Sequence, residues 1–89
     1  MDDLKLRNWA ESNASRIAAK GYRVDAIAHG QGQESLNMDN ALFVGTVTLW
    51  PSGECEVQFN SATSGDVLFL VPSVELDDLM SALDVQGVI

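Results

Sequence analysis

Two β-strands joined by a tight turn are indicated by ALFVGTVTLWPSGECEVQFN, residues Ala41 to Asn60. Pro51 presets φ at the first corner of a type I turn, and Gly53 supplies the left-handed residue that closes it with a bulge. A loop of this kind places Trp50 opposite Glu54, and every further pair follows by counting outward along the strands. The segment therefore predicts an antiparallel hairpin of defined register.

The register sorts the hairpin's side chains onto two different faces, because successive residues of a strand point in opposite directions. One face collects apolar side chains and a glycine: Phe43, Gly45, Val47, Leu49, Cys55, Val57 and Phe59. The other, here called the outer face, collects Thr46, Thr48, Trp50, Glu54, Glu56 and Gln58. A slip of one residue would bury both glutamates, so burial of the apolar set fixes the register. The outer face is polar, acidic and carries one tryptophan.

The residues before the hairpin predict one helix and one edge strand. The helical segment runs from Asp2 to Lys20, and Gly21 follows as a left-handed C-cap. Trp9 is the large residue expected to anchor this helix to the core. One face of the helix carries residues near helical spacing, namely Leu6, Trp9, Ala10, Asn13 and Ile17. The segment from Tyr22 to Ala28 alternates weakly, as an edge strand does.

An irregular segment, His29 to Asn40, separates that strand from the hairpin. Its two glycines and its amide and acidic side chains predict a long loop. A connection of this length in so small a domain is either functional or mobile. His29 has no cysteine or second histidine nearby, so we expect no metal site there.

The residues after the hairpin predict a fourth strand and a second helix. The strand, Asp66 to Val71, is apolar on both of its faces, which is typical of a strand covered on both sides or awaiting a partner. Pro72 is expected to end the strand, and Ser73 to cap the helix that follows. That helix has the clearest amphipathic spacing in the chain, formed by Leu76, Leu79, Met80 and Leu83.

These elements predict an α+β fold in a single domain, residues 1–89, with the order α-β-β-β-β-α. The four strands form an antiparallel sheet, and both helices cover one face of it, which gives two layers. A chain of 89 residues with 46% hydrophobic residues is large enough to bury one core and too apolar for disorder.

Charge is the most informative feature of the composition. The net charge is −8, and all five basic residues precede Val24. Three of the thirteen acidic residues also precede Val24, which leaves ten in a segment without lysine or arginine. Binding to nucleic acid or to an anionic membrane needs basic residues, so this segment is not expected to bind either. Acidity of this kind favours a basic protein partner, although it also serves solubility alone.

No arrangement of residues indicates an enzyme, a metal site or a bound cofactor. Glu54 and Glu56 lie about 7 Å apart at strand spacing, but nothing on an open face excludes water or gives them a defined catalytic partner. Cys55 points toward the core and is interpreted as a small apolar residue. An acidic start, a single cysteine and an apolar run of only Val67 to Val71 favour a cytoplasmic protein.

The order of motifs resembles the TriTu family of immunity proteins over nearly the whole chain. The similar parts are a tryptophan-bearing first helix, the loop with Asn37 and Asp39, the segment VGTVTLWPSGECEV, residues 44–57, then Ser64-Gly65-Asp66 and the leucine-rich last helix. The resemblance implies a cytoplasmic partner of an antibacterial toxin delivered by a contact-dependent system such as type VI secretion. It also implies that the toxin is an ADP-ribosyltransferase acting on translation elongation factor Tu, and that the immunity protein occludes its NAD-binding cleft in a 1:1 complex.

Our hypothesis for the partner-binding residues combines this resemblance with the charge pattern. Carboxylates of Glu34, Asp39, Glu54 and Glu56 would replace the phosphates of NAD in an electropositive cleft. Trp50 would supply the apolar anchor, with Thr48 beside it on the outer face. The alternative hypothesis is a small acidic secretion chaperone, usually dimeric, that binds an extended segment of an effector through the apolar fourth strand and last helix.

Overall fold

The computed structural model describes residues 4–89, and in that part of the chain a five-stranded antiparallel sheet is covered on one face by helices. The elements are α1 (Lys5–Ser12), α2 (Ala14–Ala19), β1 (Arg23–Gly30), β2 (Gln33–Asp39), β3 (Phe43–Leu49), β4 (Glu54–Ser61), β5 (Val67–Glu75), a 3-10 turn (Leu76–Asp78) and α3 (Leu79–Val85). The strands follow one another in the order β1-β2-β3-β4-β5, so each pairs with its neighbours in sequence. The predicted two-layer α+β class is confirmed, with one strand more than predicted.

The hairpin of β3 and β4 has the predicted register. Gly45 pairs with Phe59, Val47 with Val57, and Leu49 with Cys55. In the connecting turn the amide of Gly53 donates to the carbonyl of Trp50 over 2.9 Å, and the amide of Trp50 donates to the carbonyl of Glu54 over 2.9 Å. Gly53 has a φ of 96°, the left-handed conformation that a bulge of this type requires.

The prediction of a long loop from His29 to Asn40 is wrong, because most of this segment forms β2. The chain reverses at Gly30, Gln31 and Gly32, whose φ angles are 83°, 56° and 82°. Two glycines permit this turn at low cost, since a residue without Cβ adopts positive φ freely. β2 then pairs with β1 on one side and with β3 on the other.

The N-terminal helix is interrupted where a single helix was predicted. Asn13, with φ −113° and ψ 17°, separates α1 from α2, and its side-chain amide donates to the carbonyl of Trp9 over 2.8 Å. Leu6 and Ile17 are the buried residues of the two helices, whereas Trp9 is only partly buried against the core. Asp2, the predicted start, lies outside the described residues.

Pro72 was predicted to end the last strand, and this prediction is wrong. The proline lies at an irregularity within β5. Cys55 pairs with Val74 and Val57 with Val71, so β5 has one residue more than β4 between these pairs. Proline fits there because β5 is an edge strand and the bulge needs no ladder hydrogen bond from it. Ser73 therefore belongs to the strand, and α3 begins at Leu79 after the 3-10 turn.

The core lies between the inner face of the sheet and the helices. Phe59 is wholly buried at its centre, stacked on Phe69 with ring centroids 5.4 Å apart and in edge contact with Tyr22 at 6.4 Å. Gly45 lies across from Phe59, and a Cβ at this position would overlap the phenyl ring. The hydroxyl of Tyr22 donates to the carbonyl of Val88 over 2.5 Å, which ties the last residues to the same core.

Candidate protein interface

The outer face of the sheet is not covered by any of the described helices. Strand pairing orders its side chains into rows that cross the sheet. The row nearest the β3–β4 turn contains Glu54 and its partner Glu75, the second row contains Ile27, Ser35, Thr48 and Glu56, and the third row contains Asp25, Asn37, Thr46, Gln58 and Leu70. Most of these residues are polar, and the charged ones among them are all acidic.

Negative charge collects at the turn end of this face. Glu54 on β4 pairs directly with Glu75 on β5, and Glu56 follows two residues further along β4. The ion pairs among residues 4–89 join Arg16 to Asp84 at 3.1 Å and Arg23 to Asp39 at 2.6 Å. No described basic side chain therefore neutralises these three glutamates, and like charges facing each other across strands destabilise the free protein.

A groove of about 370 Å³ runs along the outer face between β3 and β4. Its walls are formed by the outward side chains of the two strands, namely Val44, Thr46, Thr48, Glu56, Gln58 and Asn60. Glu56 is the only charged residue among them, and it is partly buried. We refer to this feature as the β3–β4 groove.

Some of the donors of the groove are used within the protein. The side-chain amide of Gln58 donates to the Asn60 side-chain oxygen over 3.1 Å, and that of Asn60 donates to the carbonyl of Gly65 over 3.2 Å. The hydroxyl of Thr46 donates to Asn37 over 3.3 Å. Each of these amides has a second N–H, so the groove keeps both donors and acceptors, and the carboxylate of Glu56 is its one charged acceptor.

The structure brings four of the six predicted partner-binding residues together. Trp50 is 41% exposed at the turn, next to the exposed Glu54 and close in register to Thr48 and Glu56. Asp39 lies on the same face but two rows away, where its carboxylate is already paired with Arg23. These positions leave Trp50, Thr48, Glu54 and Glu56 as one continuous surface.

Glu34 does not belong to this surface. It lies on the inner face of β2, it is only 7% exposed, and its carboxylate accepts a hydrogen bond from the amide of Leu6 over 2.9 Å. The carboxylate therefore caps the first turn of α1, where the helix dipole favours negative charge. The residue looked like a loop acid in the sequence, but its alternation with Leu36 and Met38, two and four residues further on, is the signal that could have placed it in a strand.

Sequence reasoning also missed how much apolar surface the outer face exposes. Val44 on β3 is 48% exposed, and β5 exposes Val67, Leu68 and Leu70 to between 49% and 59%. The apolar residues on both faces of the fourth predicted strand were the signal, since β5 exposes residues of both parities around the register shift beside Phe59 and Asn60. Apolar side chains grouped beside acidic ones are typical of a surface that binds another protein.

The described residues offer little for catalysis. Among residues 4–89, no three His, Cys, Asp or Glu side chains are placed to hold a metal ion. Cys55 is wholly buried, and burial, with smaller contributions from Glu34 and Glu75, raises the pKa of its thiol to about 11. A thiol of this kind is protonated at neutral pH and is a poor nucleophile.

The fold and this surface define a small acidic α+β domain with one open sheet face suited to binding a protein. Comparison with protein families gives a more specific result: the family model described as immunity protein TriTu matches residues 4–84, nearly the whole chain. The chain belongs to the TriTu immunity protein family, and its role is accordingly to neutralise a toxin. Comparison with curated proteins gave no match, and comparison with solved structures gave none either. No helix in the described part of the chain is long and apolar enough to cross a membrane.

Proposed function

We propose that this chain binds a secreted antibacterial ADP-ribosyltransferase and occludes its NAD-binding cleft with the turn end of the outer face. The proposal takes its partner from the family resemblance and its surface from one observation. Trp50, Glu54 and Glu56 stand together on an uncovered face, and no described cation of the chain pairs with either glutamate. The complex forms in the cytoplasm of the producing cell with one immunity protein per toxin.

Electrostatics supports a cleft of this type as the target. A site that holds a dinucleotide must attract its two phosphates, so its walls carry positive charge. Carboxylates at the turn end can occupy the same field, and a net charge of −8 accelerates the encounter of the two proteins. Binding of this kind is fast at low salt and slows as ionic strength rises.

Trp50 supplies the apolar part of the contact. Its side chain is 41% exposed, and the turn beside it is held by two backbone hydrogen bonds. The tryptophan can therefore contact a partner without the entropic cost of ordering a loop. Exposed tryptophans on rigid elements are frequent anchors of protein interfaces, because they bury a large area at a low entropic cost.

The direct test combines the purified chain with the toxin domain encoded beside its gene, elongation factor Tu and NAD. We expect ADP-ribosylation to stop at a 1:1 ratio, and NAD to compete with the immunity protein for the toxin. Glu54→Lys with Glu56→Lys should slow association and abolish protection. Asp77→Lys with Asp78→Lys makes the same charge change in the exposed 3-10 turn before α3 and is the matched control, which should keep protection.

Two results would contradict the proposal. Unchanged binding at low salt after both glutamates are reversed would show that another surface contacts the toxin. Binding that NAD does not weaken would show that the cleft is left open.

The exposed apolar residues of β5 support a second candidate function, a secretion chaperone. Val67, Leu68 and Leu70 lie on an edge strand, which could accept an extended effector segment or a second copy of the chain. Size exclusion with light scattering separates the two functions. A monomer that binds the folded toxin supports immunity, and a dimer that binds an unfolded segment supports the chaperone.

A further inference from the structure

We propose that the β3–β4 groove receives an arginine or lysine side chain of the toxin, with the charged head at Glu56. The inference rests on the proposed function, because the toxin supplies the side chain. It assigns different roles to the two neighbouring glutamates: Glu54 contributes to the long-range field, whereas Glu56 makes a direct contact.

The shape and lining of the groove fit a long cationic side chain. A volume of about 370 Å³ is open along the strands, and its one partly buried charge, Glu56, lies at the turn end of the lining residues. The methyl groups of Thr46, Thr48 and Val44 offer apolar contacts to the aliphatic stem. Long basic side chains commonly bury the aliphatic stem in this way while the charged head keeps polar contacts.

The carboxylate of Glu56 favours a positively charged donor as the occupant of the groove. The amides of Gln58 and Asn60 and the hydroxyl of Thr46 already donate within the protein. Each amide keeps a second N–H, but the one charged group of the lining, the carboxylate of Glu56, only accepts hydrogen bonds. A guanidinium or ammonium group carries only donors and a positive charge, so it fits this carboxylate, whereas a phosphate or another carboxylate would be repelled by it.

Within residues 4–89, no cation pairs with this carboxylate. Every lysine and arginine precedes Val24, and among residues 4–89 the ion pairs engage Arg16 and Arg23 with other acids. Charge complementarity therefore points to a basic side chain of the partner. A charge that meets its partner in a groove is desolvated on binding, and loss of one member then raises the dissociation rate.

A pair of conservative substitutions tests whether the two glutamates have these different roles. Glu56→Gln and Glu54→Gln remove the same charge from positions two residues apart on one face. We expect Glu56→Gln to weaken toxin binding about 10- to 100-fold, mainly through faster dissociation. Glu54→Gln should change the affinity less than about threefold, and only through the association rate. Equal effects of the two substitutions would overturn the inference, even if the toxin still binds the outer face.

Filling the groove from within gives a second test. Thr46→Arg places a guanidinium of the chain's own beside Glu56 and should abolish toxin binding without unfolding the protein. Val85→Arg adds the same charge at a position on α3 that is 80% exposed, and this control should bind normally. Normal binding by Thr46→Arg would show that the groove stays empty in the complex.

A probe independent of the toxin separates failure of this inference from failure of the proposed function. N-acetylarginine amide is titrated into the protein and followed by amide chemical shifts, with N-acetylnorleucine amide as the uncharged control. We expect saturable shifts on β3 and β4 with the arginine probe alone, and their loss in Glu56→Gln. Scattered or non-saturating shifts would contradict the groove assignment whether or not the toxin binds.

Discussion

The two faces of the sheet differ more than any other two regions of this molecule, although they are made by the same strands. Along β4, Cys55, Val57 and Phe59 are wholly buried, while Glu54 and Gln58 between and beside them are exposed. One face makes the core, and the other is left to contact a partner. Strand alternation therefore allows the inner face to determine stability and the outer face to determine recognition, and changes on the two faces should separate these properties.

The largest expected difference between the faces lies at two adjacent residues of β4. Phe59→Ala removes the ring that stacks on Phe69 at the centre of the core, and we expect a loss of about 3–5 kcal/mol in the free energy of unfolding. Gln58→Ala on the outer face should change it by less than about 0.5 kcal/mol. Urea unfolding followed by tryptophan fluorescence measures both. Similar losses in the two variants would show that the faces do not divide in this way.

The next prediction concerns alkaline pH, at which two buried groups of the inner layer ionise. Burial raises the pKa of Tyr22 to about 12, partly offset by a hydrogen bond with Asn40, and burial raises that of Cys55 to about 11. Both groups are neutral when protonated, so the folded state holds their protons more tightly than the unfolded state. Stability is therefore fully present below pH 9 and falls as pH rises through the folded pKa values.

Each group is expected to contribute a loss of about 2–3 kcal/mol when fully ionised. Urea unfolding between pH 8 and 11 measures the slope. Cys55→Ala should remove the part that begins near pH 9, and Tyr22→Phe the part that begins near pH 10. A pH-independent stability over this range in the unsubstituted protein would contradict the prediction.

Much of the fold could be predicted where local signals agreed. The Pro51 and Gly53 turn determined the register of β3 and β4, because a single bulged loop leaves one pairing that buries the apolar set. β2 was missed because its outward residues are polar and its inward set includes Glu34, which interrupts the apolar alternation. Nothing in the sequence alone shows that this carboxylate meets the amide of Leu6, 28 positions away.

The ends of helices and strands were the other source of error in the predicted fold, and each error has a local physical reason. Asn13 interrupts the helix because its side chain bonds the carbonyl of Trp9, an alternative to helical geometry that asparagine makes readily. Pro72 was expected to end a strand, but a bulge on an edge strand tolerates it. Four of the candidate site residues could be grouped from register alone, whereas the groove and the hydrogen bonds among its lining residues required the positions of side-chain atoms.

Two glutamates on opposite faces sharpen the comparison further. Glu34→Ala leaves the first turn of α1 without its carboxylate acceptor, and we expect a loss of about 0.5–2 kcal/mol in the free energy of unfolding. Glu54→Ala removes an exposed carboxylate from the outer face and should not lower the free energy of unfolding, because it also relieves the repulsion with Glu75. Thermal and urea unfolding of the two variants provide the measurement, and the helical circular dichroism signal should fall only for Glu34→Ala. Equal stability of the two variants would show that the cap contributes nothing.

The smallest predicted effect has the opposite sign and concerns Glu75, which faces Glu54 directly across β4 and β5. Like charges at paired positions repel, so Glu75→Gln should raise the free energy of unfolding by a few tenths of a kcal/mol. Because the pair is exposed, the gain should disappear at about 1 M salt, where screening removes the repulsion. Asp66→Asn, which removes an acid that has no facing carboxylate in the strand pairing, is the matched control.

If Glu75→Gln stabilises the protein while it slows association with the toxin, the outer face keeps charge that opposes folding because that charge promotes binding. A loss of stability in Glu75→Gln would instead mean that this acid supports the fold, and the division between the two faces would fail at their shared edge.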